Sequence, residues 1–304
     1  MIDDQLIARV AAFAEANGIE AEPHMCGVGG LSVYRASRPT VIQPVFYQPV
    51  VCLVLQGAKQ LMAAGREMTF SKGQSLIVSI DLPMVSRVVE ASPREPYLAL
   101  ALQIDMGVLR EIAGEIDLAS TEEEPASAIS SAEADHALVD AMERMFGLVE
   151  RPSAATVLQP LVTREIHFWM LMAGHGAMLR ELCRADSHAA RIARAVGAIR
   201  RGYAERLRID DLARLAGMSS SAFHDRFKAV TGTTPLQFQK RLRLMEAKRL
   251  IASGELPVSA AAYRVGYESP TQFSREYART WGASPRSDLP SRHSEPAGQP
   301  LHRV

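Results

Sequence analysis

The sequence predicts an α+β chain in two parts. The first is an N-terminal antiparallel β-barrel with flanking helices, and the second is an all-α part that holds two helix-turn-helix motifs. Three observations predict it. Short apolar runs separated by turn residues fill residues 30–105, helical periodicity takes over after residue 135, and one sequence pattern occurs twice near the C-terminus. At 47% hydrophobic and 22% charged residues, the chain can bury substantial cores and is not disordered by composition.

Charge follows the same division. The 304 residues carry 34 basic and 34 acidic side chains, a formal net charge of zero. Residues 1–185 hold 14 basic and 23 acidic groups, and residues 186–304 hold 20 and 11. The neutral total therefore hides a −9 half joined to a +9 half, an asymmetry that points to a polyanionic partner for the basic half.

Residues 4–17 carry Leu6, Ile7, Val10 and Phe13 at helical spacing and end at Asn17-Gly18, which predicts a short amphipathic helix with a left-handed cap. Apolar runs at 31–34, 50–56, 75–80, 84–89 and 97–104 are then parted by turn residues such as Arg38-Pro39, Lys72-Gly73 and Ser92-Pro93. Strands of that length and spacing make an antiparallel sandwich or small barrel. Residues 119–132, rich in Ala, Ser and Glu with Pro125, predict an exposed loop. Helical spacing returns with Leu138, Met142, Met145 and Phe146, then with Leu161, Ile166, Phe168, Trp169 and Leu171. The polar stretch 183–188 reads as a linker, and the Pro/Ser/His/Gly-rich tail from Pro290 as disordered.

Several chemistries find no support. Cys26, Cys52 and Cys183 are odd in number and widely spaced, unlike a disulfide framework or a zinc cluster, and suit a reducing cytosol. The acidic start Met1-Ile2-Asp3-Asp4 lacks the pattern of a signal peptide, and no uncharged apolar stretch reaches the length of a membrane span; the expected location is cytoplasmic. No nucleophile elbow, P-loop or dinucleotide fingerprint occurs, and Gly27-Val28-Gly29-Gly30 is too short to cradle a phosphate. Neither a catalytic residue nor a cofactor is expected.

The repeat carries the functional signal. Residues 213–235 read ARLAGMSSSAFHDRFKAVTGTTP and residues 262–285 read AYRVGYESPTQFSREYARTWGASP. Aligned on Phe223 and Phe273, they share a turn glycine (Gly217, Gly266), a second ring (Phe227, Tyr277), a later glycine (Gly232, Gly282) and a proline (Pro235, Pro285). Each copy has the parts of a helix-turn-helix, at about 210–231 and about 258–282. In the first, Leu212, Leu215 and Ala216 make the apolar side of the leading helix, and Ala213 is small enough for close approach. A glycine breaks that helix, Ser219 or Ser269 caps the next, and Pro270 takes the first helical position, where its missing N–H costs nothing. Inside the second helix only the aromatic pair and a few small residues face inward. Ser220, Ser221, His224, Asp225 and Lys228, and Pro270, Thr271, Gln272, Ser274 and Arg275, remain outside. A narrow apolar stripe with a polar N-terminal face suits a helix that enters a major groove. Between the copies, 235–252 predicts a long helix with Phe238, Leu242 and Met245 on one side and Leu236, Leu244, Ala247 and Leu250 roughly opposite. Its cations Lys240, Arg241, Arg243, Lys248 and Arg249 are expected, with Arg200 and Arg201, to face solvent or phosphates.

On these residues the region 191–286 resembles the DNA-binding domain of the AraC/XylS family of bacterial transcription regulators. The carriers are IDDLARLAGMS, FHDRFKAVTGTTPLQFQKRLRLMEAKRLI and VGYESPTQFSREYARTWGASPRS. The resemblance implies two recognition helices in successive major-groove segments, with Ser221, His224 and Asp225 facing bases in the first and Pro270, Thr271, Ser274 and Arg275 in the second. Arg275 is the expected specific reader, since a guanidinium pairs bidentately with guanine. The short Ser221 and the short, acidic Asp225 depart from the family's stronger readers, so the first helix is expected either to discriminate bases weakly or to favour cytosine amino groups.

The region 31–105 resembles the cupin-like N-terminal domain found in a subset of that family, on the segment YQPVVCLVLQGAKQLMAAGREMTFSKGQSLIVSIDLPMVSRVVEASPREPYLALALQID. Residues 160–183 resemble the helices that come after that domain. This implies an effector-sensing, dimerising half over 1–185, a DNA-binding half over 190–289, a homodimer through the N-terminal half, and RNA polymerase as a partner at the promoter. The alternative is a non-metal cupin-type enzyme or a small-molecule binding protein with an accessory helical domain. Residues 31–130 contain no histidine, so a barrel metal site would lack its usual ligands. His167 and His175 lack HExxH spacing and are read as structural. Effector-binding residues are not assigned, apart from Cys52 as a candidate thiol sensor.

The charge division has a direct consequence. The fragment 186–304 is expected to bind duplex DNA more tightly than the whole chain at low salt, with the difference shrinking as salt screens the acidic half; gel retardation across a salt series measures it.

Overall fold

The computed structural model describes residues 2–63, 66–116 and 127–289. They form two compact units, one from the chain up to Arg201 together with Arg208–Phe238, the other from Gly202–Leu207 and the chain from Gln239 onward.

The first unit opens with α1 (Asp4–Ala16), whose cap Asp3 accepts from the Gln5 N–H at 3.0 Å. Its Leu6, Val10 and Ala14 are fully buried, and Gly18 at φ +63° ends it as the Asn-Gly pair predicts. Ten strands follow among the described residues: β1 (His24–Met25), β2 (Leu31–Ala36), β3 (Gln43–Tyr47), β4 (Val50–Gln56), β5 (Ala58–Ala63), β6 (Arg66–Ser71), β7 (Gln74–Val78), β8 (Leu82–Glu90), β9 (Tyr97–Gln103) and β10 (Ile129–Glu133). They make two antiparallel sheets, in the orders β1-β2-β9-β4-β7-β10 and β3-β8-β5-β6.

Of the expected sandwich or small barrel, the strands form the two-sheet arrangement and not a closed barrel. Gly57 explains the break. It stands between β4 of one sheet and β5 of the other at φ +74°, and an added Cβ would lie 2.4 Å from the Glu90 carbonyl oxygen. Only glycine fits this corner, so the chain leaves one sheet there and enters the other.

β4 and β9 are buried on both faces. Val51, Leu53 and Leu55 join Leu98, Leu100 and Leu102 in a core with Leu6 and Val10 of α1 and with later helices. These are α2 (Met106–Glu115), α3 (His136–Gly147), α4 (Pro152–Met172) and α5 (Ala177–Cys183), contributing residues such as Leu109, Met142, Phe146, Ile166, Met170 and Leu179. Asp105 and Asp135 cap α2 and α3 with their carboxylates. The alternate residues of β4, Cys52 and Val54, lie on the opposite face and are also buried, on the side of the smaller sheet.

Part of the expected loop 119–132 lies outside the described residues, and the rest differs from expectation. Ile129–Glu133 pairs with β7 in register from Ile129↔Val78 to Glu133↔Gln74. As an edge strand it buries only Ile129, so no apolar alternation marks it. The expected tail from Pro290 also lies outside the described residues. α5 ends at Cys183 and α6 (His188–Arg201) begins five residues later, so the stretch 183–188 expected as a linker lies inside the first unit.

His167 is fully buried and fixed as a neutral tautomer. Its Nε2 accepts the Asp105 backbone N–H at 2.8 Å, so its Nδ1 carries the proton donated to the Thr163 carbonyl at 2.7 Å. Burial holds its pKa below the usual histidine value, the Thr163 bond and the Asp105 charge opposing, and burial also lowers His175. A depressed folded-state pKa means that the unfolded chain binds more protons at mildly acidic pH. This stability is fully present above about 6.5, the unfolded value, and is lost as pH falls below it. Urea unfolding at pH 7.5 and 5.5 should show that loss, and His167→Gln should reduce the pH dependence.

Candidate nucleic-acid interface

In the first unit, α7 (Ile209–Leu215) and α8 (Ser220–Thr231) form one helix-turn-helix. Gly217, at φ +62°, closes α7, and the Ser219 side chain caps α8 by accepting from the Ala222 N–H at 3.3 Å. Phe223 and Phe227 are fully buried with ring centroids 5.6 Å apart, and Phe227 meets Phe238 edge-on at 5.6 Å. Gly232 ends α8 in the left-handed conformation. With both rings inward, Ser220, Ser221, Asp225 and Lys228 are exposed and His224 is half-buried.

The second unit repeats the arrangement. α10 (Val258–Arg264) ends at Gly266, where a Cβ would lie 2.0 Å from the Ala204 carbonyl oxygen. α11 (Pro270–Trp281) is capped by Ser269, which accepts from the Gln272 N–H, and carries Pro270 in its first turn. Phe273 and Tyr277 are fully buried, and the aromatic contacts run from Tyr267 through both of them to Trp281. Thr271, Gln272 and Arg275 are exposed, while Pro270 and Ser274 are half-buried.

Not every exposed side chain is free for a ligand. The Ser220 hydroxyl donates to Asp210 Oδ1 at 2.7 Å, and the Ser274 hydroxyl donates to the Pro270 carbonyl at 2.8 Å. Arg275 makes no ion pair among the described residues and lines a surface depression with Thr271, Gln272 and Arg279. Arg279 escaped the sequence reading, although it stands one helical turn beyond Arg275 on the same face.

The long helix α9 (Pro235–Ala252) corrects a further expectation. Leu236 is exposed, while Leu244, Ala247 and Leu250 are buried with Ala261, Ala262, Phe273 and Tyr277. Several of its cations are partly withdrawn and paired: Lys240 with Glu276 at 2.9 Å and Lys248 with Asp288 at 2.7 Å. Arg249 is exposed as expected and makes surface pairs with Glu246 at 3.0 Å and Glu255 at 2.7 Å. Arg243 donates from Nε to the Tyr203 carbonyl, from Nη1 to Gly266, and from Nη2 to Ala204 and Glu205, at 2.7–3.1 Å. These carbonyls follow the end of α6 and close α10, where the backbone has no intrahelical partner to offer. Arg200, in the first unit, pairs with Asp81 at 2.7 Å and lies over the Phe46 ring.

Cys52 is also repositioned chemically. Burial pushes its thiol up to about 11, with the nearby Lys59 acting in the opposite direction. A thiol sensor needs the thiolate, which this site disfavours. Among the described residues, no group of three or more His, Cys, Asp or Glu side chains is placed to hold a metal ion, and no helix is long and apolar enough to cross a membrane.

Comparison with known proteins agrees with both halves of the reading. A family described as "AraC-type transcriptional regulator N-terminus" matches residues 27–178, and a family described as "Helix-turn-helix domain" matches residues 212–289. The HTH-type transcriptional activator RhaS of Escherichia coli is 27% identical over 153 residues. That match spans 50% of this chain and 54% of RhaS, about half the length of each. Among solved structures, ToxT from Vibrio cholerae O395 aligns with a TM-score of 0.53 at 13% identity, covering 84% of this chain and 95% of ToxT. ToxT of strain SCE256, solved with an unsaturated fatty acid bound, gives 0.53 at 12% identity over 84% of this chain and 92% of its own.

The Arg243 clasp gives a stability test. Arg243→Ala leaves the Ala204 and Gly266 carbonyls without their side-chain donor, while Gln239 Nε2 still reaches Tyr203 and Glu205, and should cost about 1–3 kcal/mol. Arg243→Lys should recover only part of it, because a point charge does not reproduce the fork. Urea unfolding of the three proteins measures both.

Proposed function

Because the chain belongs to the family of AraC-type transcriptional regulators, we propose that it binds specific promoter sequences through α8 and α11, with an affinity set by a small molecule held in the N-terminal half. One observation carries this reading. Two separate segments repeat the same device of turn glycine, serine cap, buried aromatic pair and exposed polar first turn. A polar outer face is common to surface helices, but its repetition with the same turn, cap and aromatic pair on two helices is what a paired major-groove reader requires.

In this reading, 190–289 is the DNA-binding domain and 1–185 is the sensing and pairing domain. Ser221, His224, Asp225, Thr271 and Arg275 contact bases, aided by Gln272 and Pro270, while Lys228 meets phosphate. Ser220 and Ser274, whose hydroxyls are engaged within the fold, position the backbone of their helices. The protein acts as a cytoplasmic regulator rather than an enzyme, with RNA polymerase as its partner at the promoter. Subunit pairing through the N-terminal half is supported by α4, which exposes Val157, Leu158 and Leu161 within little more than one turn. The ToxT structure with a bound fatty acid supports an effector of small-molecule size.

Coupling between the halves is supported inside the first unit. Arg200 of α6 pairs with Asp81 between β7 and β8, and the Ala128 N–H donates to the Val230 carbonyl of α8 at 3.1 Å. A ligand that favours one arrangement of the sheets shifts the DNA-competent population through such contacts.

Binding-site selection followed by footprinting tests the proposal, and uniform, sequence-independent affinity would overturn it. Arg275→Ala should cost about 1–3 kcal/mol on the selected site and relax specificity at one position. Lys228→Ala should weaken all sequences alike and lower the salt slope by about one.

A further inference from the structure

Lys59 is the anomaly of the first unit. It lies on β5, opposite Phe70 of β6 and Val88 of β8, and only 8% of its surface is accessible. Leu61, two residues on and so on the same face, is fully buried. The β5–β8 register shifts between Ala58 and Lys59, directly after the Gly57 corner, and both residues are buried there. Such irregularities re-aim side chains and recur beside functional sites.

Around the ammonium stand groups from both sheets. Its Nζ is 4.3 Å from the ring centroid of Tyr34 on β2 and 6.0 Å from that of Tyr47 on β3. Tyr97 on β9 meets Tyr34 edge-on at 5.7 Å, and Cys52 on β4 acts on Lys59 electrostatically. Phe70, Val88 and Leu61 do not titrate. Among the described residues, Lys59 makes no hydrogen bond and no ion pair. The tyrosine faces attract a cation but accept none of its three N–H bonds in line. Cys52 and the three tyrosines are all raised by burial first and stay neutral at neutral pH. Among the described residues the ammonium meets ring faces and no carboxylate.

An unpaired buried charge destabilises a fold, and an apolar residue of similar size would serve packing better. Its missing partner is therefore sought outside the chain. One ammonium calls for one negative charge, and the tyrosine rings call for an apolar body. A phosphate dianion calls for more than one positive charge, and Lys59 is the cation these rings surround.

We propose that Lys59 is the anion-binding end of the effector site, and that the effector is a small organic acid whose carboxylate pairs with its ammonium while its apolar part packs on Tyr34, Tyr47 and Tyr97. This rests on reading the chain as an effector-modulated regulator. Desolvation lowers the Lys59 pKa to about 8, with Cys52 acting in the opposite direction. The charge that recognises the acid therefore disappears within an accessible pH range.

The test uses the full chain with phenylacetate and hexanoate as probes and their amides as uncharged counterparts, followed by calorimetry. At pH 7 an acid should bind at least tenfold more tightly than its amide. Above pH 8 its affinity should fall by up to about tenfold per pH unit as the ammonium deprotonates, whereas an exposed lysine stays charged to about 10. Lys59→Met should abolish acid binding, raise Tm and still retard the selected promoter DNA. Should Lys59→Met fail to fold, the pH profile of the unmodified chain decides alone. Failure of both acids to bind, equal binding of acid and amide, or a flat profile from pH 7 to 9.5 would overturn the proposal. Loss of specific DNA binding by the unmodified chain would instead overturn the regulator reading, whatever the acids do.

Discussion

The first unit depends on covering both faces of β4 and β9. A strand buried on one side needs one apolar residue in two, but Val51–Leu55 and Tyr97–Leu100 are apolar or small at every position and almost wholly inaccessible. Something must therefore lie on each side. Helices α1 to α5 close one face, and the smaller sheet closes the other. The Gly57 corner is what allows the second cover, since it carries the chain from one sheet to the next without clashing with Glu90. The facing of the two sheets follows from that turn, and with it the burial of Lys59.

The helix-turn-helix copies answer a different constraint. A short helix that must present most of its surface can anchor itself through only a few residues. Two aromatic side chains, fully buried at Phe223 and Phe227 or at Phe273 and Tyr277, supply much area from few positions. The caps then do the rest. Serine satisfies an N-terminal N–H, and glycine at positive φ ends the helix cleanly. What remains is mostly polar and exposed, and apart from Ser220 and Ser274 it has little part in holding the helices in place.

Much of this was legible from residues alone, for reasons that differ by element. β4, β7, β8 and β9 announce themselves because burial on both faces or nearly so forces continuous apolar runs. β10 does not, because an edge strand buries little beyond Ile129. The repeat could be read because glycine, serine and aromatic residues each have one physical task at a fixed spacing. The cations of α9 could not, since a Lys or Arg on a helix face looks alike whether it meets a phosphate or a neighbour's carboxylate. Arg243 depends on carbonyls at Tyr203–Glu205 that come close only in the folded chain. Lys59 sits in the run LQGAKQL with nothing to distinguish it from a solvent-facing lysine on an amphipathic strand.

Set beside one another, these cations define what is unusual about Lys59. Lys240, Lys248 and Arg243 are all partly withdrawn from water, and each has an acceptor within 3 Å. Lys59 is more deeply buried than any of them and has none among the described residues. Nor does the long-range field of its surroundings answer it, because the surface of a half with net charge −9 repels an approaching anion rather than gathering it. Any recognition of an anion in this half must therefore be local, short-ranged and strengthened by exclusion of water. A single desolvated ammonium between tyrosine rings meets that requirement, whereas a lysine on the acidic surface, screened and hydrated, does not.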